Sequence, residues 1–239
     1  MDHGFLSIIA ARHCKRAFLD RPVPAEALES VLRVAAHAPS TRNTQFWRVE
    51  VLTGGARDEL ARRLREEYER GTPAELDYLS RPEVMDAVFE ERGRASDAGW
   101  YRSKGVAPVD RAARRGRMRE NLGFYGAPVE MIFHLPANAA PGTFLEMGLF
   151  LQNVMLGLVA CGLGSCPQGS VAGYADTVRH CLGLGADRLI VCGLAVGYPD
   201  ESAPVNAFVP ERAELREYTR WLDGRRQGQD RAGGERRHA

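Results

Sequence analysis

The segment from Gly142 to Ser170 constrains the fold of this 239-residue chain more than any other segment does. Its residues from Phe144 to Val159 are apolar almost all the way round, interrupted by Glu146, the amides Gln152 and Asn153, and glycines. A helix of this composition has no face suited to water, so we expect it to be buried. It is nearly long enough to cross a bilayer, but its polar side chains would be unpaired in hydrocarbon and no basic flank marks a cytoplasmic side. We therefore interpret it as the central helix of a soluble core rather than as a membrane span.

The residues after this helix are expected to form a turn. Gly162-Leu163-Gly164 is a typical helix stop, because glycine adopts the left-handed conformation that ends many helices. The following run, Ser165-Cys166-Pro167-Gln168-Gly169, is predicted to turn away from the helix with backbone N–H groups left unpaired. A buried helix that leads to unpaired backbone N–H groups at one point is suited to form one wall of a cofactor-binding site.

The overall charge and the cysteines limit the kinds of partner. The chain has 32 basic and 31 acidic residues, so no net field favours nucleic acid or an anionic membrane. An acidic residue lies next to the N-terminus, and no basic region precedes a long apolar run, so we do not expect a signal peptide. An odd, irregularly spaced set of cysteines indicates reduced thiols in the cytoplasm, and small buried residues are favoured over a zinc site. These cysteines are Cys14, Cys161, Cys166, Cys181 and Cys192.

A short N-terminal helix, from Phe5 to His13, is predicted to end in a cluster of basic residues. Its apolar residues are expected to form a buried side; they are Phe5, Leu6, Ile8 and Ile9. The cluster Arg12-His13-Cys14-Lys15-Arg16 has two interpretations. It is either a solvated helix end, where cations suit the helix dipole, or an anion clamp in which Arg12 and Arg16 share a face and bind a phosphate.

A polar loop follows the second predicted helix, which opens at Pro24 and is stopped by Pro39. The loop Ser40-Thr41-Arg42-Asn43-Thr44-Gln45 leads into Phe46 and Trp47. Loops of this composition commonly cap helices. Neutral donors and acceptors next to two aromatic residues also suit the polar edge of a planar heterocycle. Both interpretations remain open on the sequence alone.

The rest of the chain supplies strands, an insertion and a tail. Alternating or apolar runs predict strands over residues 48–53, 128–135 and 188–199. Residues 71–109 are expected to be an irregular insertion in a single domain spanning residues 1–222, and residues 223–239 a basic, flexible tail. The arginines from Arg111 to Arg119 are interpreted as a solvated helix beside an acidic neighbour rather than as a nucleic-acid surface.

Together, these segments resemble the FMN-dependent nitroreductase family. The matching segments are Arg12 to Arg16, Pro39 to Trp47, Gly162 to Gln168, Val191 to Pro199 and Asn206 to Arg212. They occur in the right order and cover about residues 5–222. The resemblance implies an α+β fold, with a central mixed, mainly antiparallel sheet flanked by helices, in an intertwined homodimer with FMN between the protomers.

The resemblance also assigns candidate cofactor-binding residues. Arg12, Arg16 and Arg212 are implied to hold the FMN phosphate or the pyrimidine edge, with His13 and Cys14 alongside. Four further residues are implied to reach the flavin from the other subunit: Pro39, Ser40, Thr41 and Asn43. Backbone groups of Pro167, Gln168 and Gly169 are implied to approach flavin N5. The family usually has serine where this chain has Cys14, and proline where it has Phe46.

The implied activity is a ping-pong oxidoreductase reaction. NAD(P)H delivers hydride to flavin N5 and leaves, and a nitroaromatic or quinone-like small molecule is then reduced by two electrons. The flavin carries the chemistry, so we assign no catalytic side chain. The two departures and the insertion leave an alternative open: the same fold used as a dehydrogenase, an oxidase or an ene-reductase on a biosynthetic intermediate. The alternative that is not an enzyme is a protein that binds or stores flavin without catalysing a reaction.

Overall fold

The computed structural model describes residues 4–107 and 109–222. Within them the chain forms ten α-helices and four strands. The helices are α1 (Gly4–Ala11), α2 (Ala25–Ala35), α3 (Gly54–Arg70), α4 (Ala87–Ser103), α5 (Arg111–Asn121), α6 (Pro141–Ala160), α7 (Gly169–Ala172), α8 (Ala175–Leu182), α9 (Pro204–Ala207) and α10 (Leu215–Tyr218). The strands are β1 (Arg48–Thr53), β2 (Val129–Pro136), β3 (Gly164–Gln168) and β4 (Arg188–Gly197). The predicted tail, residues 223–239, lies outside the described residues.

The four strands form one sheet in the order β1-β2-β4-β3, and each neighbouring pair is antiparallel. The pairing of β1 with β2 begins at Arg48 opposite His134. A single parallel bridge joins Cys14 to Ser165 at the β3 side of the sheet. The four-stranded sheet is therefore antiparallel, with a parallel bridge from the N-terminal segment at one edge, and the predicted α+β, mainly antiparallel fold is confirmed.

The hydrophobic core lies on both faces of the sheet. Along β2, Met131 and Phe133 belong to the core shared with α2 and α6, whereas Ile132 belongs to the core shared with α3 and α8. Neighbouring strand residues point to opposite faces, so a strand buried on both sides is apolar almost throughout. This double burial explains why β2 and β4 were predicted well from short apolar runs.

The central helix α6 is buried along one side only. Six of its residues are buried, including Phe150 and Val154. Leu145 is 68% exposed and Leu149 is 40% exposed, so the expectation that this helix has no exposed face is wrong for the single chain. In the described part of the chain, α6 is the one helix that is long and apolar enough to cross a bilayer. Of its most apolar 18-residue stretch, 33% is buried inside the structure.

The first helix, α1, extends the exposed apolar surface of α6. It contacts α6, yet Phe5 is 61% exposed and Leu6 is 59% exposed. The prediction of a buried side on this helix is wrong for the single chain, because α6 does not cover it. We call the exposed apolar residues of these two helices the α1/α6 face: Phe5, Leu6, Ile9, Leu145 and Leu149.

Residues 71–109, predicted to be irregular, contain the 17-residue helix α4. Its C-terminal half buries Trp100 and Tyr101 against Val205. Gly99 permits the close approach of Phe208, because a Cβ atom there would lie 2.3 Å from the Phe208 ring. The expectation of irregular structure is therefore wrong over residues 87–103.

The arginine-rich helix α5 lies beside acidic side chains. Arg115 and Arg119 both pair with Glu69, and Arg117 pairs with Asp97. These contacts agree with the interpretation of a solvated helix beside an acidic neighbour. Exposed pairs of this kind contribute little to stability, roughly 0–1 kcal/mol each.

The chain divides into two compact units, one ending at Val209 and the other beginning at Pro210. The first unit contains the sheet and helices α1 to α9. Within the described residues of the second unit, the one helix is the short α10. The extent of a single domain over residues 1–222 remains a prediction.

Candidate active site

The N-terminal basic segment is held along β3. Cys14 bridges to Ser165 in parallel, and the Lys15 backbone N–H donates to the Ser165 carbonyl at 3.0 Å. Gly164 allows this approach, because a Cβ atom there would lie 2.7 Å from Lys15 Cγ. The segment from Arg12 to Arg16 is therefore fixed to the sheet by backbone contacts that do not depend on its charges.

The side chain of Asn206, which is almost fully buried, fixes the same segment from the other side. Its Oδ1 accepts from the Arg16 backbone N–H at 2.6 Å, and its Nδ2 donates to the carbonyls of Ala17 at 2.7 Å and Asp200 at 2.9 Å. The His13 imidazole contacts the Asn206 carbonyl at 2.9 Å. Buried amides are stable only when they are hydrogen-bonded, and this one has partners for both amide atoms.

Arg16 lines the same pocket as the half-buried Tyr125. The Tyr125 hydroxyl accepts from Asn121 Nδ2 at 2.7 Å. Burial raises the pKa of the Tyr125 phenol, so the hydroxyl stays protonated. Phe124 and Tyr125 both have positive φ, at 59° and 53°. Bulky residues adopt this conformation only where the surrounding structure enforces it, often at functional sites.

The same asparagine holds the end of β3. Gln168 Nε2 donates to the Asn121 carbonyl at 2.5 Å and to its Oδ1 at 2.9 Å. Ser170 Oγ also donates to Asn121 Oδ1. Hydrogen bonds therefore join Tyr125 through Asn121 to Gln168, and Arg16 lies in the same pocket as Tyr125. We call these four residues the Arg16–Gln168 network.

The predicted turn after α6 is different in the structure. Residues 164–168 form β3 and pair with β4, with Ser165 opposite Val196 and Gln168 opposite Gly193. The expectation that these residues turn away with unpaired amides is therefore wrong. Gly169 begins α7, is exposed, and has no atom within 4 Å of the position of a Cβ atom. Its approach to flavin N5 stays a prediction.

The amide-rich loop of residues 39–47 is anchored to α6. The Thr41 N–H donates to Glu146 Oε1 at 2.7 Å, and the Trp47 ring stacks on Phe150 with centroids 4.8 Å apart. The Gln45 N–H donates to Ser40 Oγ at 3.2 Å. Glu146, which is nearly buried in an apolar helix, thus serves to hold this loop.

The loop presents its polar residues outward. Pro39, Thr41 and Asn43 are exposed and Ser40 is half-buried. Among the described residues, the hydrogen bonds of this loop run within the loop and to α6 and β1, and none joins it to the Arg16–Gln168 network. The predicted role of these four residues toward a flavin of the partner subunit stays a prediction.

The remaining predicted cations lie in different units. Arg12 is half-exposed in the first unit, and its charge helps to lower the pKa of the Cys14 thiol. Arg212 is exposed in the second unit, and its Nη1 donates to the carbonyl oxygens of Pro210 at 2.9 Å and Glu211 at 3.4 Å. The prediction that Arg12, Arg16 and Arg212 bind one phosphate stays a prediction.

Positive charge surrounds the Cys14 thiol. A hydrogen bond from the Cys166 thiol, followed by the charges of Arg16 and Arg12, lowers the pKa of Cys14 despite its burial. The pKa of Cys166 is raised well above its usual value, first by its hydrogen bond with Cys14 and then by burial. A site that stabilises a thiolate also suits other anions.

The residues present fit an anionic, planar cofactor. Arg12 and Arg16 provide positive charge, and the space at Gly169 is open. Gln168 Oε1 is buried and has no partner. An orphaned buried acceptor is costly unless a ligand or water satisfies it, and the N–H edge of a flavin ring is a suitable donor.

Comparison with known proteins identifies the family. The model of the nitroreductase family matches residues 9–198. The chain belongs to the nitroreductase family. It is 38% identical to nitroreductase NfnB of Mycolicibacterium smegmatis over 216 residues, covering 90% of this chain and 91% of the relative. It is 36% identical to a chloronitrobenzene nitroreductase of Comamonas testosteroni, covering 90% and 95%.

Solved structures of other family members share the fold. The FMN and NADPH-dependent nitroreductase NfnB from Sphigopyxis sp. strain HMH superposes with a TM-score of 0.88 at 35% identity, covering 91% of this chain and 98% of that one. The FMN-dependent NfnB from Mycobacterium smegmatis in complex with NADPH gives 0.87 at 36% identity, covering 90% and 96%.

Two residues of the candidate site were not predicted from the sequence. Asn121 and Tyr125 were not singled out, although Tyr125 lies in the same pocket as Arg16 and Asn121 joins it to Gln168. A usable signal was the run Asn121-Leu122-Gly123-Phe124-Tyr125-Gly126, in which an amide follows a helix pattern and two glycines bracket an aromatic pair. Glycines in this arrangement indicate a tight turn that aims its side chains.

Proposed function

We propose that this chain is an FMN-dependent NAD(P)H oxidoreductase that passes two electrons to a nitroaromatic or quinone-like acceptor. Membership of the nitroreductase family supports this activity, as does similarity over 90% of the chain to relatives named for nitroaromatic reduction. The solved NfnB structures support the cofactor and the donor, because they are described as FMN-dependent and one contains NADPH.

The Arg16–Gln168 network is the observation that carries the proposal. Arg16, which is predicted to bind the flavin, and Gln168 lie at its two ends. Between them, Asn121 Nδ2 donates to the Tyr125 hydroxyl at 2.7 Å, and Asn121 Oδ1 accepts from Gln168 Nε2 at 2.9 Å. When bound, FMN supplies hydride acceptance and donation at N5. Arg16 stabilises negative charge on the cofactor, and the Asn121 side chain orients Gln168.

The other predicted residues have supporting roles. Arg12 adds positive charge for the phosphate, and His13 and Cys14 lie alongside. Pro167 and Gly169 contribute backbone groups rather than side chains. No side-chain acid is assigned, because water can supply the proton to the acceptor.

We further propose a homodimer, with FMN at the subunit interface. The α1/α6 face consists of exposed apolar residues on two helices that contact each other, and exposed apolar surfaces mark protein–protein interfaces. The loop that carries Pro39, Ser40, Thr41 and Asn43 is anchored to the same helix, α6, through Glu146. Pairing through α6 therefore brings this loop toward the partner subunit's flavin.

The oligomeric state tests this part of the proposal. We expect a dimer by size-exclusion chromatography with light scattering, and a shift toward monomer in the double variant Leu145→Glu/Leu149→Glu, because four added carboxylates per dimer would be desolvated in the interface. Val84→Glu is the control, because Val84 is exposed outside the α1/α6 face. A dimer that persists in the double variant contradicts pairing through α6.

The cysteines support a cytoplasmic location, and the near balance of 32 basic and 31 acidic residues supports a chain with no membrane or nucleic-acid partner. All five cysteines lie in the described part of the chain, and all are free thiols. Free thiols persist in reducing compartments. Retention of the chain in the soluble fraction, with a cytoplasmic marker, tests this location.

Anaerobic spectroscopy tests the activity. We expect the purified chain to bind FMN, to lose flavin absorbance when NADPH is added, and to regain it when a nitroaromatic or quinone is added. Colour that persists with NADPH but is lost with another organic substrate would instead indicate the dehydrogenase alternative. A chain that takes up no FMN would refute the proposal.

A matched pair of arginine variants tests the assignment of Arg16. Arg16→Gln removes a charge-assisted contact worth about 1.5–3 kcal/mol, so FMN should bind roughly 10–150-fold more weakly. Arg33→Gln, at an exposed position of α2, should leave FMN affinity unchanged. Equal affinities for the two variants would exclude Arg16 from the cofactor site.

A further inference from the structure

Two thiols meet inside the candidate cofactor site. Cys14 lies in the N-terminal basic segment and Cys166 lies in β3, and the bridge between Cys14 and Ser165 places the two cysteines on directly adjacent backbones. Their side chains pack in the same cluster. Adjacent strands lie about 4.8 Å apart, so residues one position apart across the bridge fall within the Cα separation of about 4.4–6.8 Å that a disulfide spans.

The surroundings give the two thiols different chemical roles. Cys14 has Arg12 and Arg16 beside it, which favour its thiolate. Cys166 is almost fully buried, and its proton is retained. A thiolate in an electropositive setting is the nucleophile, and a neighbouring neutral thiol is suited to resolve its oxidised form.

The other cysteines of the chain lack this arrangement. Burial raises the pKa of Cys181 and Cys192, which makes their thiols poor nucleophiles. Cys161 is exposed at the end of α6. Selective chemistry is therefore expected at one pair.

We propose that Cys14 is an oxidation site for peroxides, and that Cys166 resolves it by forming an intramolecular disulfide within the cofactor site. The Cys14 thiolate attacks one peroxide oxygen, so that an S–O bond forms, the O–O bond breaks and hydroxide leaves. Cys166 then attacks the sulfenic acid sulfur, so that the S–S bond forms and water leaves. The two thiols lose two electrons, hydrogen peroxide is reduced to two waters, and a dithiol reductant reverses the change.

The proposal has a consequence for cofactor loading that rests on the proposed function. Bound FMN would cover Cys14 and compensate the charges of Arg12 and Arg16, which removes both access and thiolate stabilisation. Peroxide should therefore oxidise the FMN-free chain and spare the FMN-loaded one. With FMN at about 100 times its Kd, about one chain in a hundred is free, so disulfide formation should slow by about 100-fold.

The test follows the disulfide directly, by mass spectrometry. The full-length chain, with and without saturating FMN, is treated with hydrogen peroxide, alkylated and digested without reduction. We expect a peptide linking Cys14 with Cys166 in the FMN-free sample. Cys161 should remain alkylated and serves as an internal measure of thiol access.

Two variants separate the steps. In Cys166→Ser, oxidation should stop at a Cys14 sulfenic acid that dimedone traps, because no resolving thiol is present. In Cys14→Ser, Cys166 should stay reduced. Recovery of FMN binding after treatment with dithiothreitol shows that the oxidised chain is still folded.

Each outcome decides a different claim. Full alkylation of both thiols after peroxide, or a link from Cys14 to another cysteine, overturns the thiol pair even if the enzyme is active. A linked peptide that forms equally fast with saturating FMN overturns the protection but leaves the pair. A linked peptide in a chain that never binds FMN refutes the proposed function and leaves the oxidation site standing.

Discussion

The buried carboxyl of Glu130 makes stability depend on pH in a predictable direction. Glu130 lies in β2, is fully buried, and neither of its oxygens has a hydrogen-bond partner of full geometry; the Leu194 backbone N–H offers only a weak contact. Gly193 leaves room for it, because a Cβ atom there would lie 2.2 Å from Glu130 Oε1. Burial raises its pKa well above 4.5, although the charge of Arg57 opposes the rise. Glu130 is therefore a neutral acid in the folded chain at low pH.

The sign of the effect follows from proton binding. Because the folded chain holds this proton more tightly than the unfolded chain, the stability it contributes is complete below about pH 4.3 and is lost as pH rises toward the folded-state pKa. Within this window each pH unit costs about 1.4 kcal/mol. For a chain of this size, 1 kcal/mol shifts Tm by about 2–4 °C, so the loss is about 3–6 °C per pH unit.

The substitution Glu130→Gln removes the titration and nearly conserves the shape. Near pH 4.5 the variant and the original chain should unfold at similar temperatures, and the Tm advantage of the variant should grow with pH up to the folded-state pKa. Differential scanning calorimetry from pH 4.5 to 8 measures this difference. Glu29→Gln, at an exposed position of α2, should give no such trend.

One result would refute the reasoning. If Glu130 were ionised and paired with Arg57, Glu130→Gln would be less stable than the original chain, and the deficit would be larger at neutral pH than at pH 4.5. A Tm difference that does not change with pH would also contradict a buried neutral acid.

Two further predictions concern the site and its loop. Asn121→Ala removes three side-chain hydrogen bonds, to Tyr125, Gln168 and Ser170, and should lower the free energy of unfolding by about 2–3 kcal/mol and weaken FMN binding. Urea denaturation and flavin fluorescence titration would measure these effects, and unchanged FMN affinity would separate the network from the cofactor. Glu146→Gln replaces a charged acceptor of the Thr41 N–H and should cost about 1 kcal/mol, seen as faster amide exchange over residues 40–45 with unchanged exchange in β2.

The sequence was informative wherever a segment has a clear apolar or alternating pattern. The strands β1, β2 and β4 were predicted within two residues at each end, because apolar or alternating runs with flanking glycine and proline define them. The helix α6 was also predicted, from its apolar composition. Its exposed side was not, because an apolar residue looks the same in sequence whether its own chain or a second one covers it.

Two elements were missed because their local sequence contradicts their structure. Residues Gly164–Gln168 form β3 although they contain Pro167, which read as a turn. Pro167 lies two positions after Ser165, so the backbone groups of both residues point to the same side of the strand. The Ser165 carbonyl faces the N-terminal segment, so the N–H that Pro167 lacks would point away from β4 and no bond of that pairing is lost. Helix α4 was missed because it contains Gly93 and has no clear apolar stripe.

The candidate site was predictable only where its residues form a recognisable cluster in the sequence. The cations Arg12 and Arg16 stand out as a cluster in the sequence, and so does the amide-rich loop. Asn121 and Tyr125 do not, since their role depends on positive φ at Phe124 and Tyr125, which sequence patterns do not predict for bulky residues.

The clamp formed by Asn206 determines when the site can assemble during synthesis. This residue holds the backbone of Arg16 from 190 positions later in the chain, and it holds Ala17 as well. The arginine-bearing segment leaves the ribosome first but acquires its position only after nearly the whole chain has been translated. If FMN binds at this segment as proposed, we expect FMN binding only after Asn206 has been translated, and nascent chains truncated before Asn206 should carry no flavin.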